Sequence, residues 1–368
     1  MACRILYLVG QLRAGGLEHQ LYCLLHAMDR ERYQPCVVVW NYREDDLYLS
    51  RIRSLGVPLY GLTAADSKLG KMTKFRRLVR HLNPEVVHSY SFYTNFGAWW
   101  ATRGTRAIAV GAVQSDFTRA KRESGPLLGS LSARWPRLQI FNSFTAAKNA
   151  LASKSIFAPK RLCVVPNGVD LTRFHPVRLS ENGRPCIVGV GSLSSVKRWD
   201  RLLLAARALK DKRLDFFVRV IGDGPLREPL EKQARGLHLS DCVEFMGQVD
   251  DVPSFLAKGT FLAHTSDTEG RPNVVIEAMS CGRAVVAMDA GDIPSLVEDG
   301  KTGYVVSRGD NRGLVERMAT LISDRELCQR MGKAGRDKAE REFGLDRLLS
   351  ETFAVYRAGG WIDCAPVN

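Results

Sequence analysis

The sequence predicts an α/β protein built from two doubly wound parallel sheets. Three observations carry this expectation. The chain has 368 residues, more than one hydrophobic core usually organises. Short apolar runs alternate with stretches of helical periodicity, the pattern of strand–helix–strand units. The alternation then restarts near the middle of the chain, after a polar stretch.

In the first half, ILYLVG (5–10) reads as a buried strand. Leu17, Leu21, Leu24, Leu25 and Met28 follow at helical spacing, and CVVVW (36–40) is the next strand. A basic helix, KMTKFRRLVRHL (71–82), precedes EVVHSY (85–90), with AIAVGAV (107–113) and LQIFNS (138–143) continuing the series. RLCVVPNGVD (161–170) leads into VRLSENGRP (177–185), read as the linker. In the second half come CIVGVGSL (186–193), the helix DRLLLAARAL (200–209), FFVRVIGDGP (216–225), CVEFMG (242–247) and TFLAHTS (260–266). VVIEAM (274–279), AVVAMD (284–289), TGYVV (302–306) and a last helix from about Leu345 to Arg357 complete it. In open parallel sheets, ligands bind outside the carboxyl ends of the strands, so function is sought there.

Composition is that of a folded globular chain, with 45% hydrophobic and 25% charged residues, which argues against disorder. No run reaches the roughly 20 apolar residues of a membrane span. The nine cysteines are scattered, odd in number and never spaced C-x-x-C. This pattern argues for reduced thiols and a cytoplasmic protein, against a disulfide framework or a zinc site. The net charge of +14 is lopsided: residues 1–170 hold 24 Lys and Arg against 11 Asp and Glu, and the remainder is nearly balanced. Such a field attracts phospholipid, a pyrophosphate-linked acceptor, an acidic glycan or nucleic acid; simple solubility charge is the plain alternative. No basic-aromatic array of a known nucleic-acid-binding type is apparent, so nucleic acid is not expected as a partner.

The most informative segment is HTSDTEGRPNVVIEAMSCG (264–282). Gly270 and Pro272 mark a loop, and Pro272 is placed to open a helix through Val274, Ile276, Ala278 and Met279. Glu269 then sits in the loop mouth and Glu277 one turn into the helix. A helix N-terminus seats a diphosphate on its free N–H groups, and a carboxylate one turn deeper suits the paired hydroxyls of a ribose. A glutamate that only complements the helix dipole is the competing reading. No D-x-D follows a strand, and no metal site is expected. Gly15 and Gly16 lie in the turn after the first strand, either as a plain tight turn or to admit a phosphate or acceptor.

EGRPNVVIEAMSCGRAVVA (269–287) resembles the E-x7-E segment of the large retaining glycosyltransferase family with the GT-B fold, two Rossmann-like domains facing across a cleft. GGLE (15–18), VVH (86–88), PNGVD (166–170), GSLSSVK (191–197), IGDGP (221–225), VEFMG (243–247) and DGKTGYVV (299–306) fall in the order that family has them. The resemblance implies an N-terminal acceptor-binding domain (1–170), a C-terminal nucleotide-sugar-binding domain (171–344) and a terminal segment (345–368) whose helix packs back on the first domain.

It further implies that Lys197 and Glu269 are catalytic, Lys197 neutralising the diphosphate leaving group and Glu269 lying near the transferred sugar's hydroxyls. Donor contacts are implied for Gly16, Ser192, Lys197, Met246, Gly270, Arg271, Pro272, Asn273, Val274 and Glu277, the last on the ribose. Gly15, Gly16, His88 and Tyr90 form the implied acceptor side. Two positions depart from the family pattern. Ser192 stands where an arginine is usual, with Arg198 or Arg271 as substitutes for its charge, and Tyr90 stands where a second histidine is common. His88, on a strand, is more often a packed core histidine than an active-site group.

The expected activity is retaining, metal-independent transfer of a sugar, most readily from a UDP or GDP donor, to a lipid-linked or glycan acceptor in cell-surface polysaccharide or glycolipid synthesis. The sugar nucleotide is a substrate, so no cofactor is implied. A non-catalytic sugar-nucleotide-binding protein and a sugar-nucleotide epimerase on the same fold are the alternatives. Two basic clusters favour docking on the inner face of an anionic membrane: Lys68 to Arg80, and Arg119 to Arg137 around PLLGSLSARWPR, whose Trp135 reads as an interfacial anchor. A solvated charged face over a core helix is the competing reading.

Overall fold

The computed structural model describes residues 3–63, 67–114, 117–153, 156–178 and 183–363. The chain forms two compact units, one of Met1–Gly168 with Leu345–Asn368, the other of Val169–Gly344.

The first unit holds β1 (Cys3–Val9), β2 (Tyr33–Val39), β3 (Leu59–Gly61), β4 (Val86–Ser89), β5 (Ile108–Val113), β6 (Leu138–Phe141) and β7 (Arg161–Val164). They form one sheet in the order β3-β2-β1-β4-β5-β6-β7, parallel throughout. The second unit holds β8 (Cys186–Val190), β9 (Phe217–Ile221), β10 (Val243–Gly247), β11 (Phe261–His264), β12 (Ala284–Met288) and β13 (Gly303–Val306). Its order, β10-β9-β8-β11-β12-β13, is again wholly parallel. Both sheets reverse their winding once, between β1 and β4 and between β8 and β11. At such a reversal the neighbouring loops diverge and open a crevice, which is where doubly wound folds bind ligands.

The strands are continuous apolar runs because helices cover both sheet faces. Ile5 through Val9 are all fully buried, as are Ala284 through Ala287. The crossing between the units lies at Gly168 and Val169, ahead of the polar stretch read as the linker. Val169 donates to the Phe343 carbonyl at 2.8 Å, and Val169 and Phe174 are buried in the second unit's core. Apolar burial thus draws residues 169–178 into that unit, while 179–182 of the expected linker lie outside the described residues. The short strand β3 and the helices Leu47–Arg53, Phe117–Glu123 and Phe144–Ala152 are additions to the elements legible in the sequence.

The terminal helix Leu345–Ala358 belongs to the first unit and packs its Leu348, Phe353, Val355 and Tyr356 into that core. Tyr356 Oη lies 2.8 Å from His88 Nδ1 and donates to Tyr7 Oη at 3.2 Å. This polar knot has no exposed member. Tyr356→Phe keeps the ring and strips both partners of their bond. It is expected to cost about 1–3 kcal/mol, seen as a lower urea midpoint at unchanged slope.

Candidate active site

Lys197 ends the loop that follows β8, and Glu269 lies in the loop that follows β11, so the winding reversal of the second sheet brings them together. Lys197 Nζ donates to Glu269 Oε1 at 2.7 Å. The pair is largely enclosed, with side chains 21% and 12% exposed. His264, the last residue of β11 and buried, brings Nε2 to 3.2 Å from the same oxygen, off the line of a hydrogen bond. Burial alone would raise the Glu269 carboxyl, but His264 and then Lys197 outweigh it and hold the group well below the usual carboxylate range. Glu269 is therefore an ionised acceptor at neutral pH.

The two loops are tied to each other mainly through backbone. Asp267 N donates to Val196 O at 3.1 Å, and Thr265 Oγ1 to Lys197 O at 3.0 Å. Arg201, buried on the helix Trp199–Asp211, donates to Thr265 O at 2.7 Å, Asp267 Oδ1 at 2.8 Å and Asn311 Oδ1 at 3.1 Å. Arg198 adds Asp267 Oδ2 at 2.6 Å and Asp200 Oδ2 at 2.9 Å. A buried arginine that satisfies one loop's carbonyl and carboxylate at once restrains where that loop can go. Glycine is required behind it: Gly291 has φ +57°, and a Cβ there would overlap the carbonyls of Glu269 and Gly270. Asp292 N closes the contact by donating to Gly270 O at 2.8 Å.

Beyond the loop, Pro272 precedes the helix Asn273–Ser280, whose first turn offers backbone N–H groups beside Glu269. Val274 is buried and Asn273 half-buried. Glu277, the helix's fifth residue, is pushed up to about 7 by burial, with Arg173 acting weakly the other way. Ser192 is exposed; its hydroxyl pairs with Ser194 at 3.1 Å, and its carbonyl accepts from Trp199 Nε1 at 2.9 Å. Met246 lies at the irregular end of β10, where Gly222 N donates to Gly247 O at 2.8 Å.

The structure gives neither substitute arginine a free charge. Arg198 is paired with Asp200 and Asp267, and Arg271 is buried with Nη1 3.6 Å from Asp292 and its guanidinium over the Phe343 ring. Both are committed to protein groups because the loop architecture needs them there. His264, Arg201 and Asp267 were passed over in the sequence. The first could have been found as a polar residue at a strand's carboxyl end; the others look like ordinary surface charges.

In the first unit, Gly15 is extended and Gly16 opens the helix Gly16–His26. A Cβ on Gly15 would overlap Glu18 Oε2, so the glycine makes room for this buried carboxyl, which desolvation pushes up to about 7. His88 and Tyr90, placed on the acceptor side by resemblance, are core residues instead, 2% and 3% exposed. Burial pushes His88 down to about 3, so it is neutral, because Tyr356 and Tyr7 pack around it. Trp135 is likewise no free anchor: its ring stacks on Trp99 at 4.5 Å. Lys71, counted in the basic cluster, is buried and donates to Trp40 O at 2.8 Å and Asn41 Oδ1 at 2.7 Å. No helix among the described residues is long and apolar enough to cross a membrane.

Comparison with known proteins bears on this geometry. Residues 172–338 match the family described as glycosyl transferases group 1, and residues 15–168 match the glycosyl transferase 4-like domain. The chain is 28% identical over 187 residues to the N-acetyl-alpha-D-glucosaminyl L-malate synthase of Bacillus anthracis, covering 51% of this chain and 49% of that protein. It is 33% identical over 217 residues to a sulfoquinovosyl transferase of Arabidopsis thaliana, covering 55% and 41%. It thus spans about half the length of the curated relatives it matches. Among solved structures, HepE of Anabaena in complex with UDP-glucose superposes with a TM-score of 0.82 at 19% identity, over 96% of this chain and 99% of that one. Sucrose-phosphate synthase from Thermosynechococcus elongatus does so at 0.80 and 17%, over 97% and 98%. Two parallel-sheet units, a lysine and a glutamate joined at the second sheet's reversal and matches along nearly the whole chain lead to one conclusion: the chain belongs to the group 1 glycosyltransferases and has the GT-B fold.

Proposed function

We propose that this protein transfers a sugar from a nucleotide-diphosphate donor to an acceptor hydroxyl, with the donor held at the carboxyl end of the second unit's sheet. The observation that carries this reading is the enclosed Lys197–Glu269 pair beside the N-terminus of the helix Asn273–Ser280. The diphosphate lies on the N–H groups of that first turn, between Gly270 and Val274. Glu277 takes the ribose diol, accepting two hydrogen bonds when ionised. Glu269, held as a carboxylate, accepts from hydroxyls of the transferred sugar. Met246 and Gly247 border the base, and UDP and GDP are the first donors to try; the relatives' own names include a GDP-mannose-dependent enzyme.

Breaking the sugar–phosphate bond builds negative charge on the departing oxygen, and Lys197 is the fixed cation placed to meet it without a metal. With the Glu269 carboxylate engaged by Lys197 and assigned to the sugar's hydroxyls, the acceptor oxygen attacks on the face the diphosphate leaves, and the leaving phosphate takes its proton. Configuration is retained in this scheme. A lipid-linked acceptor fits the basic first unit, where Leu127, Leu151 and Ile156 are exposed on or beside helices that also carry Lys121, Arg122 and Lys148. The second reading, a sugar-nucleotide-binding protein without turnover, draws on Ser192, which leaves Lys197 with only the acid-paired Arg198 as a second cation on its loop.

A panel of UDP-, GDP-, ADP- and dTDP-sugars scored by thermal shift and by donor consumption separates the two. One donor is expected to raise the melting temperature by mass action and to be consumed when acceptor is present. Glu277→Ala should abolish the shift, whereas Lys197→Ala should keep weaker binding and lose about 10²- to 10³-fold in turnover. Normal kinetics in both variants would refute the site, and binding with no consumption would select the second reading.

Stability against pH reports the burial of Glu277 directly. Its folded value of about 7 lies above the ordinary 4.5, so folding takes up a proton between them. The stability this gives is complete below the ordinary value and lost as pH rises through about 7. Glu277→Gln should therefore melt higher than the parent at pH 8, with the gap closing as the pH falls below 4.5. A difference that does not change with pH would mean that the carboxyl is hydrated.

A further inference from the structure

A second concave feature lies on the first unit, away from the carboxyl ends of its strands. It is built from the helices Lys68–Leu82 and Asn95–Thr102 and from the turns that lead into β5 and β6. Arg76, Trp99, Trp100, Arg103 and Gly104 line a shallow depression that is open to solvent. The guanidinium of Arg76 lies 4.7 Å over Trp100, that of Arg103 5.2 Å over Trp99, and that of Arg137 4.9 Å over Trp135. Trp99 and Trp135 stack on each other with an interplanar angle of 23°. Arg76 Nη2 also donates to Arg103 O at 3.2 Å, which fixes its plane further.

Among the described residues, no carboxylate pairs with Arg76, Arg103 or Arg137. At the second unit's site, by contrast, Arg198 and Arg201 are paired closely with Asp200 and Asp267. Three planar cations thus lie over ring faces with no internal carboxylate to meet them. A guanidinium restrained in this way presents a preset fork to carboxylate, sulfate or phosphate oxygens.

We propose that this depression is an accessory binding site for an anionic saccharide, its acid groups on Arg76 and Arg103 and its sugar rings against the indole-lined wall. Three features select this occupant. The site is concave and its rings are part-buried, whereas interfacial membrane anchors protrude. Single-stranded nucleic acid needs open ring faces for its bases, and here guanidiniums and a neighbouring indole already cover them. A sugar acid needs only the cations for its acid groups and the indole edges for its rings, with no open ring face. The site lies near the amino ends of β5 and β6, so it is separate from the strand ends where the transfer chemistry is placed.

The test is calorimetric titration of the full chain with an oligogalacturonate hexamer, with maltohexaose as the neutral control. Saturable binding of the uronate and none of the neutral sugar is expected. The double variant Arg76→Gln/Arg103→Gln should weaken it at least roughly tenfold. Arg103→Lys keeps the charge and removes the planar fork, so it too should bind more weakly, and its conservative size protects the fold. Uronate binding no better than maltohexaose overturns the proposal. So does an Arg103→Lys variant with parent affinity, which would reduce the effect to net charge. Loss of binding to phosphatidylglycerol vesicles, or to an oligothymidylate, in the double variant with uronate affinity unchanged would assign the site to a lipid surface or to nucleic acid.

Discussion

The second unit's site depends on one enclosed ion pair, Lys197 with Glu269. Taking two charges out of water is costly, and the cost is met only where the geometry is good and other polar partners are at hand. Here the partners are present: His264 beside the carboxylate, Thr265 on the lysine's carbonyl, and Arg201 holding the loop from behind. The pair, 72 residues apart in the chain, can form because β8 and β11 are neighbours in space and because their loops leave the sheet in opposite directions. Remove the reversal of winding and the lysine and glutamate no longer meet.

The two sheets share a topology and use their reversal points differently. In the second unit, the mouth brings together a cation, an ionised carboxylate and the start of a helix. In the first, the chain's own Glu18 folds against Gly15 at the start of the equivalent helix, and Tyr93 lies over Gly10 with Asn41 on its hydroxyl. A desolvated carboxyl at a helix N-terminus takes up the place where an anion would sit. The second unit's reversal point thus carries a cation and an ionised carboxylate, while the first unit's is filled by the chain's own carboxyl, even though most of the positive charge is in the first. Much of that charge is held locally, in arginine–indole stacks and in the buried Lys71.

Strands and core helices were legible because burial on both faces forces continuous apolar runs, and these survive in one dimension: β1, β2, β8 and β12 all lie where such runs stand. Short edge elements such as β3, with three residues, carry too little periodicity to be read. The donor-side segment was legible for a local reason, since Glu269, Pro272 and Glu277 belong to one loop and one helix. The supporting network was not, because Arg201 and Asp267 acquire meaning only through partners more than 60 residues distant.

His88 and Tyr90 mark the boundary of what a linear reading can decide. Their place on or just after a strand followed from the alternation of apolar runs, but whether they faced a ligand or the core depended on a helix 268 residues further on, whose Tyr356 closes over His88. By itself the sequence determined the two-sheet architecture, the charge imbalance between halves and the identity of the loop that carries Glu269, since each is set by local composition and period. Only the tertiary structure decided which charges are neutralised and which polar groups are buried. Burial and pairing are properties of distances between remote segments, and no local pattern encodes them.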